Sequence, residues 1–169
     1  IVTHPIEPED NLDLYRLLGG IFGREEAAEA LCDRLETALA RCRAAARDLP
    51  PRDVVYFIWR DPWMTVSRDT YIARLLDLVG WRTLCHDPEV RYPEVTISPE
   101  LIAAADLFLF SSEPFDFEAA HLGAFTTETG CPAEKLLLVD GEYCSWYGSR
   151  AIAGLDYVAT LARARAGLG

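Results

Sequence analysis

From residue 25 to residue 47 the chain holds no proline or glycine, and Leu31, Leu35, Ala38, Leu39, Cys42 and Ala46 recur at helical spacing. That spacing puts them on one face of a helix of about 20 residues, roughly 30 Å long. Pro50-Pro51 ends it, and the next apolar run, Val54-Val55-Tyr56-Phe57-Ile58-Trp59, shows no polar alternation. A short uninterrupted run of this kind is a strand covered on both faces, as in a parallel sheet. Residues 106–110 and 135–139 repeat the pattern. Helical patterns separate the three runs. Ser67 is placed to cap a helix over residues 69–79, with Tyr71, Ile72, Leu75, Leu76 and Val79 turned inward and Gly80 as the stop. Ser98-Pro99-Glu100 starts another helix, residues 118–129 form a third, and residues 149–165 form a last one that buries Ile152, Leu155, Val158, Ala159 and Ala162.

Ahead of the long helix, residues 1–8 read as the end of a strand and its connection, followed by a short helix over residues 9–18 that stops at Gly19-Gly20. Residues 94–97 read as an added edge strand. Apolar strands alternating with helices predict an α/β fold: a Rossmann-like three-layer lobe with a parallel sheet, preceded by a long backbone helix. The division this suggests is 1–24 as the end of a preceding lobe or connection, 25–50 as the helix, and 51–169 as the lobe itself.

The ends of the three strand patterns carry the candidate chemistry. They are Trp59-Arg60-Asp61-Pro62-Trp63, Ser111-Ser112-Glu113-Pro114-Phe115, and Trp146-Tyr147-Gly148-Ser149-Arg150 beyond the third. In an open α/β sheet the loops at the carboxyl ends of the strands hold ligands. Trp59, Trp63, Trp146 and Tyr147 offer flat apolar contact, and Arg60 and Arg150 offer orientation of an anionic group. Each has a plainer role too: Trp59 as core, Arg60-Asp61 as a surface pair, Arg150 as a brace to Asp140 or Glu142. Cys85-His86-Asp87-Pro88-Glu89 brings sulfur, imidazole and carboxylate donors together, but at no zinc-ligand spacing, and an ordinary polar connection is the better reading. No G-x-G-x-x-G or G-x-x-x-x-G-K-[ST] follows a strand pattern, so the usual phosphate cradles are missing. No catalytic residue and no metal ligand is assigned.

Composition narrows the partners. Asp and Glu number 27 against 16 Lys and Arg, a net charge of −11, which argues against nucleic acid and anionic lipid. Lys135 is the only lysine. The five cysteines, Cys32, Cys42, Cys85, Cys131 and Cys144, form no C-x-x-C pair and leave at least one thiol free in a monomer. No run of 18 apolar residues is present. The start at Ile1 implies a mature, truncated or excised chain.

Together, several segments resemble the cobalamin- and siderophore-binding substrate receptors of ABC importers, in which a long helix joins two lobes. Val2-Thr3-His4-Pro5 with residues 12–23 resembles the end of a first lobe, residues 25–47 the interlobe helix, and residue 54 onward the second lobe. Gly80-Trp81, Arg91-Tyr92-Pro93-Glu94-Val95, Ser112-Glu113-Pro114-Phe115, and residues 140–142 through Trp146-Tyr147-Gly148-Ser149-Arg150 are similar to the helical-backbone metal-receptor branch. The resemblance implies a two-lobe periplasmic-binding-protein fold and capture of cobalamin, a ferric siderophore or haem as transported ligand, with no intrinsic cofactor. It also implies contacts from Trp59 or Trp63 and from Trp146-Tyr147, a permease partner docked through Glu113, and a periplasmic or extracytoplasmic site. On that resemblance, almost all of a first lobe is expected to lie outside these 169 residues. Two other classes stay open: a small cytoplasmic enzyme using Glu113, Asp116, Asp140 or Cys144, with the five cysteines favouring the cytoplasm, and a protein-interaction domain with an acidic or aromatic face.

Overall fold

The computed structural model describes residues 1–167. Residues 1–6 have no regular structure, so the strand end expected there is absent, and Pro8–Asp10 forms a 3-10 turn that leads into α1 (Asn11–Phe22). This helix runs through Gly19-Gly20 and stops at Gly23, whose φ of 61° is the left-handed conformation that closes a helix. Gly19 serves packing instead of termination: a β-carbon there would lie 2.5 Å from Ala28 Cβ, so its absence lets α2 (Glu25–Ala46) approach α1 closely. Ala28, Cys32, Leu35, Ala38, Leu39 and Cys42 form the buried stripe of α2.

The sheet follows. β1 (Arg52–Phe57), α3 (Tyr71–Asp77), β2 (Trp81–Thr83), α4 (Pro99–Ala104), β3 (Leu107–Ser111), α5 (Ala119–Thr129), β4 (Leu136–Val139), α6 (Gly141–Ser145) and α7 (Arg150–Arg165) succeed one another along the chain. The four strands are all parallel, in the order β2-β1-β3-β4, with Val54 opposite Leu107, Phe57 opposite Phe110 and Phe108 opposite Leu136. The edge strand beside β1 is therefore β2, with β4 at the other edge, whereas residues 94–97 contribute only an isolated antiparallel bridge between Glu94 and Met64.

Alternate residues of the strands feed two cores. Val54, Tyr56, Leu107 and Leu109 face α2, α3 and α7 and join Leu35, Leu75 and Leu155. Val55, Phe57, Phe108 and Phe110 face the other side and join Phe117 and Phe125, with Leu101 of α4 packed against them. Full burial of each such side chain contributes about 1.5–3 kcal/mol, and the two-sided covering explains why the run in β1 shows no polar alternation. β4 departs from its expected burial on both faces, because it lies at the sheet edge and leaves Leu138 38% exposed.

Capping also departs in one place. Ser98 caps α4 as its sequence predicts, accepting from Leu101 N. Ser67 does not cap α3. Thr70 does, accepting from Ala73 N, while the buried Ser67 hydroxyl accepts from Asp87 N at 3.0 Å and faces Val90 O at 2.7 Å. Ser67 thus ties the 86–91 connection to the sheet end.

Candidate functional site

At the carboxyl end of the sheet, the loops after β1, β3 and β4 meet. Beyond β1 the chain folds back, with Ile58 N donating to Met64 O (3.0 Å) and Met64 N to Trp59 O (3.2 Å). The 91–95 segment lies against the returning arm through Thr65 N to Pro93 O and Ser67 N to Arg91 O, which brings Tyr92 to the same edge. The loop after β3 is fixed to both neighbours, by Phe115 N to Ile58 O (3.3 Å) and Ser112 N to Val139 O (3.0 Å). After β4, Asp140 caps α6, its carboxylate accepting from Glu142 N and Tyr143 N, so a segment that reads as a turn is a short helix. Gly141 N donates to Ser112 Oγ at 2.9 Å, and beneath them the buried Tyr56 hydroxyl donates to Ser111 Oγ at 2.9 Å.

These loops enclose a crevice of about 400 Å³. Its walls are apolar, with Ile58, Met64, Ile72 and Pro114 beside the rings of Trp59 and Tyr92; Glu113 and Ser145 are its polar members. Trp59 is 41% exposed and meets Phe115 edge-on at 5.6 Å between centroids. Trp146 (51% exposed) stands next to the crevice, its indole N–H donating to Glu113 Oε2 at 2.7 Å. Tyr147 also faces solvent and is set edge-on to Tyr71. The chain leaving this aromatic pair is pinned from α1: buried Asn11 accepts from Gly148 N at 2.6 Å, and Tyr15 donates to Gly148 O at 2.6 Å.

The seven residues singled out in the sequence thus separate. Trp59 and Glu113 line the crevice, and Trp146 and Tyr147 border that edge. Trp63 is packed away from it, 4.7 Å from the Phe57 centroid and stacked parallel to Phe117 at 6.0 Å. Arg60 lies over the Trp63 ring and pairs with Glu128 at 3.1 Å. Arg150 pairs with Glu142 at 2.6 Å and lies over Tyr143. Both arginines are braces in this arrangement, and no cation lines the crevice among the described residues.

The groups weighed for catalysis do not converge. Cys144 is fully buried, and burial pushes its thiol up to about 12, so it is protonated at neutral pH and a poor nucleophile. Asp140 is engaged as a helix cap, and Asp116 lies on the exposed part of its loop. In the Cys-His-Asp segment, His86 Nδ1 accepts from Arg68 N and Asp87 N is held by Ser67. Among the described residues, no group of three or more His, Cys, Asp or Glu side chains is gathered to hold a metal ion, and no helix is long and apolar enough to cross a membrane.

Sequence reasoning places Ser111, Ser112 and Pro114 in a candidate strand end, and Tyr56, Ile58 and Ile72 in apolar runs, but gives none of them, nor Asn11, Tyr15 or Met64, its individual part in holding the loops or lining the crevice. Tyr92 carries a visible signal, an aromatic beside a proline in an otherwise polar connection.

No protein-family model and no curated protein matches the chain. Solved structures do. The periplasmic vitamin B12 binding protein BtuF of Vibrio cholerae superposes with a TM-score of 0.79 at 14% identity, over 96% of this chain and 64% of that one. The periplasmic heme-binding protein RhuT from Roseiflexus sp. RS-1 gives 0.75 at 19% identity, over 96% of this chain and 65% of that one. A possible iron-binding periplasmic solute-binding protein from Staphylococcus epidermidis gives 0.75 at 17% identity, over 92% and 62%. At these identities the likeness is one of fold. The chain spans under two thirds of the length of each of these structures.

Proposed function

We propose that this chain is the ligand-binding second lobe of an extracytoplasmic substrate-binding protein, one that captures a metal chelate and presents it unchanged to the permease of an ABC importer. The observation that carries the reading is the apolar crevice at the carboxyl ends of β1 and β3, with Trp59 and Tyr92 in its wall and Trp146 beside it. Its volume of about 400 Å³ is at the low end for a small-molecule site, as suits one jaw of a clamp whose other jaw is a companion lobe. The fold likeness to periplasmic binding proteins supports the same reading.

The companion lobe has a surface to rest on. Leu17, Leu18, Ile21 and Phe22 of α1 are exposed, Phe22 at 71%, and a largely apolar groove runs between α1 and the start of α2. A contiguous apolar face of this kind marks an interaction surface. Cobalamin, a ferric siderophore and haem are the ligand classes to test, held by aromatic contact with the metal bound by its own chelate.

The experiment is a titration of the full-length gene product with these three classes, followed by tryptophan fluorescence. Saturable quenching by one of them is expected, because Trp59 and Trp146 are exposed at the site. A folded protein that responds to none would remove the capture reading.

A further inference from the structure

Resting on that capture reading, the charge of the crevice selects the kind of ligand. Glu113 is its only charged lining group among the described residues. One carboxylate oxygen, Oε2, takes the Trp146 indole N–H at 2.7 Å, and Glu113 N is itself anchored to Ser111 Oγ at 3.2 Å. The other oxygen, Oε1, accepts no hydrogen bond among the described residues, although Glu113 is only partly exposed. The neighbouring polar group is spent: Ser145 Oγ donates to Gly141 O at 2.5 Å. Cations that would neutralise Glu113 are engaged elsewhere, Arg60 with Glu128, Arg150 with Glu142 and Arg91 with Asp69. The remaining groups able to donate at the mouth, the Trp59 indole and the Tyr92 hydroxyl, are neutral.

We propose that Glu113 is the specificity-determining residue of this crevice, accepting through Oε1 from an amide N–H or ammonium on the edge of a flat apolar ligand and rejecting ligands whose edges carry carboxylates. An unpaired acceptor beside apolar walls is stabilised by a donor and destabilised by a second anion, and low local polarity enlarges both effects. The chain's net charge of −11 acts in the same direction at longer range. Trp146, fixed by the same carboxylate, positions its ring relative to the acceptor, so ring contact and edge recognition come as one unit.

The test uses two probes on the full-length protein: cyanocobalamin, whose corrin edge carries amides, and haemin, whose edge carries two carboxylates. Wild type is expected to bind cyanocobalamin at least about tenfold more tightly than haemin. E113Q keeps an oxygen for the Trp146 N–H but removes the charge and turns an amide N–H toward the crevice. It should lower the cyanocobalamin-to-haemin ratio by roughly tenfold or more, with an unchanged unfolding midpoint. E113A, which removes the acceptor and also frees Trp146, should weaken cyanocobalamin. Haemin binding as tight as cyanocobalamin in wild type, with a ratio that E113Q leaves unchanged, would overturn the assignment to Glu113 and leave capture intact. Binding of neither probe, nor of a ferric siderophore, would overturn capture and this inference together.

Discussion

Gly141→Ala probes the joint on which the crevice depends. Gly141 opens α6 directly under the loop that carries Glu113, and a β-carbon there would lie 2.6 Å from Ser111 Oγ, 2.7 Å from Glu113 N and 2.8 Å from Glu113 Cβ. Two of the three neighbours are backbone or held by backbone, so no flexible side chain can swing aside, and α6 must separate from the β3 end. Alanine gains up to about 1 kcal/mol of helix propensity over glycine. Against this stand an overpacking cost of about 1–3 kcal/mol and weakening of two hydrogen bonds, Gly141 N to Ser112 Oγ and Glu113 N to Ser111 Oγ, at about 1 kcal/mol each. The expected net loss is about 3 kcal/mol, a fall in Tm of roughly 6–12 °C for a chain of this size. Displacement of Glu113 from Trp146 should weaken ligand binding in parallel. Gly20→Ala is the matched control: it is also helical, but a β-carbon there meets nothing within 4 Å, so it should stabilise by about 0.5–1 kcal/mol. Urea unfolding of both variants reads the difference. A Gly141→Ala protein as stable as wild type, binding ligand unchanged, would refute the close packing of α6 on the Glu113 loop.

Three further outcomes are expected. Trp63→Ala should cost about 3 kcal/mol because its ring is packed among Phe57, Phe110, Phe117 and Phe125, whereas Trp59→Ala should change the urea midpoint far less and instead reduce ligand-induced quenching; the reverse pattern would misplace the two rings. Stability should fall at alkaline pH: the Cys144 thiol, raised from 9.0 to about 12, stays protonated in the folded chain while the unfolded thiol ionises, so stability is full below about 9 and is lost as pH rises through about 12, at about 1.4 kcal/mol per pH unit in between. Cys42, raised to about 11, acts with the same sign, and a flat urea midpoint between pH 8 and 11 would contradict the burial of these thiols. Finally, the isolated 169-residue chain should self-associate with rising concentration in light scattering through the exposed α1 face, and Phe22→Ser should reduce this without altering stability; a wild-type monomer at every concentration would argue against an unpartnered surface.

Long apolar periods made most of the fold legible. The inward residues of α3 and α7 and the centre of the α2 stripe, Leu35, Ala38, Leu39 and Cys42, follow from spacing, because a helix of several turns repeats its signal, whereas at its ends Leu31 and Ala46 are only partly buried and Ala28 and Cys32 are buried instead. Elements of three to five residues carry too few repeats: β2 buries Trp81 and Thr83 around an exposed Arg82, and α6 spans five residues behind a cap that looks like a turn. Ser67 and Thr70 are equivalent capping residues by composition. Only the return of the 86–91 connection, 20 residues away in sequence, decides that Thr70 caps and Ser67 staples.

The same limit applies at the crevice, where each strand end was visible but their coupling was not. Trp146 reads as a ligand ring and Glu113 as a docking carboxylate, and nothing local links positions 33 residues apart. The link arises because β3 and β4 are parallel neighbours, with Ser111 paired to Val139 in register, so the loops that leave them run side by side. Once that register is set, Ser112 reaches Gly141 and Glu113 reaches Trp146. The Glu113 carboxylate accepts the indole N–H at one oxygen and leaves the other without a hydrogen bond among the described residues. Any group that meets Oε1 would therefore act on the ring as well, so ligand contact at Trp146 and partner docking at Glu113, proposed separately from the sequence, would run through one carboxylate.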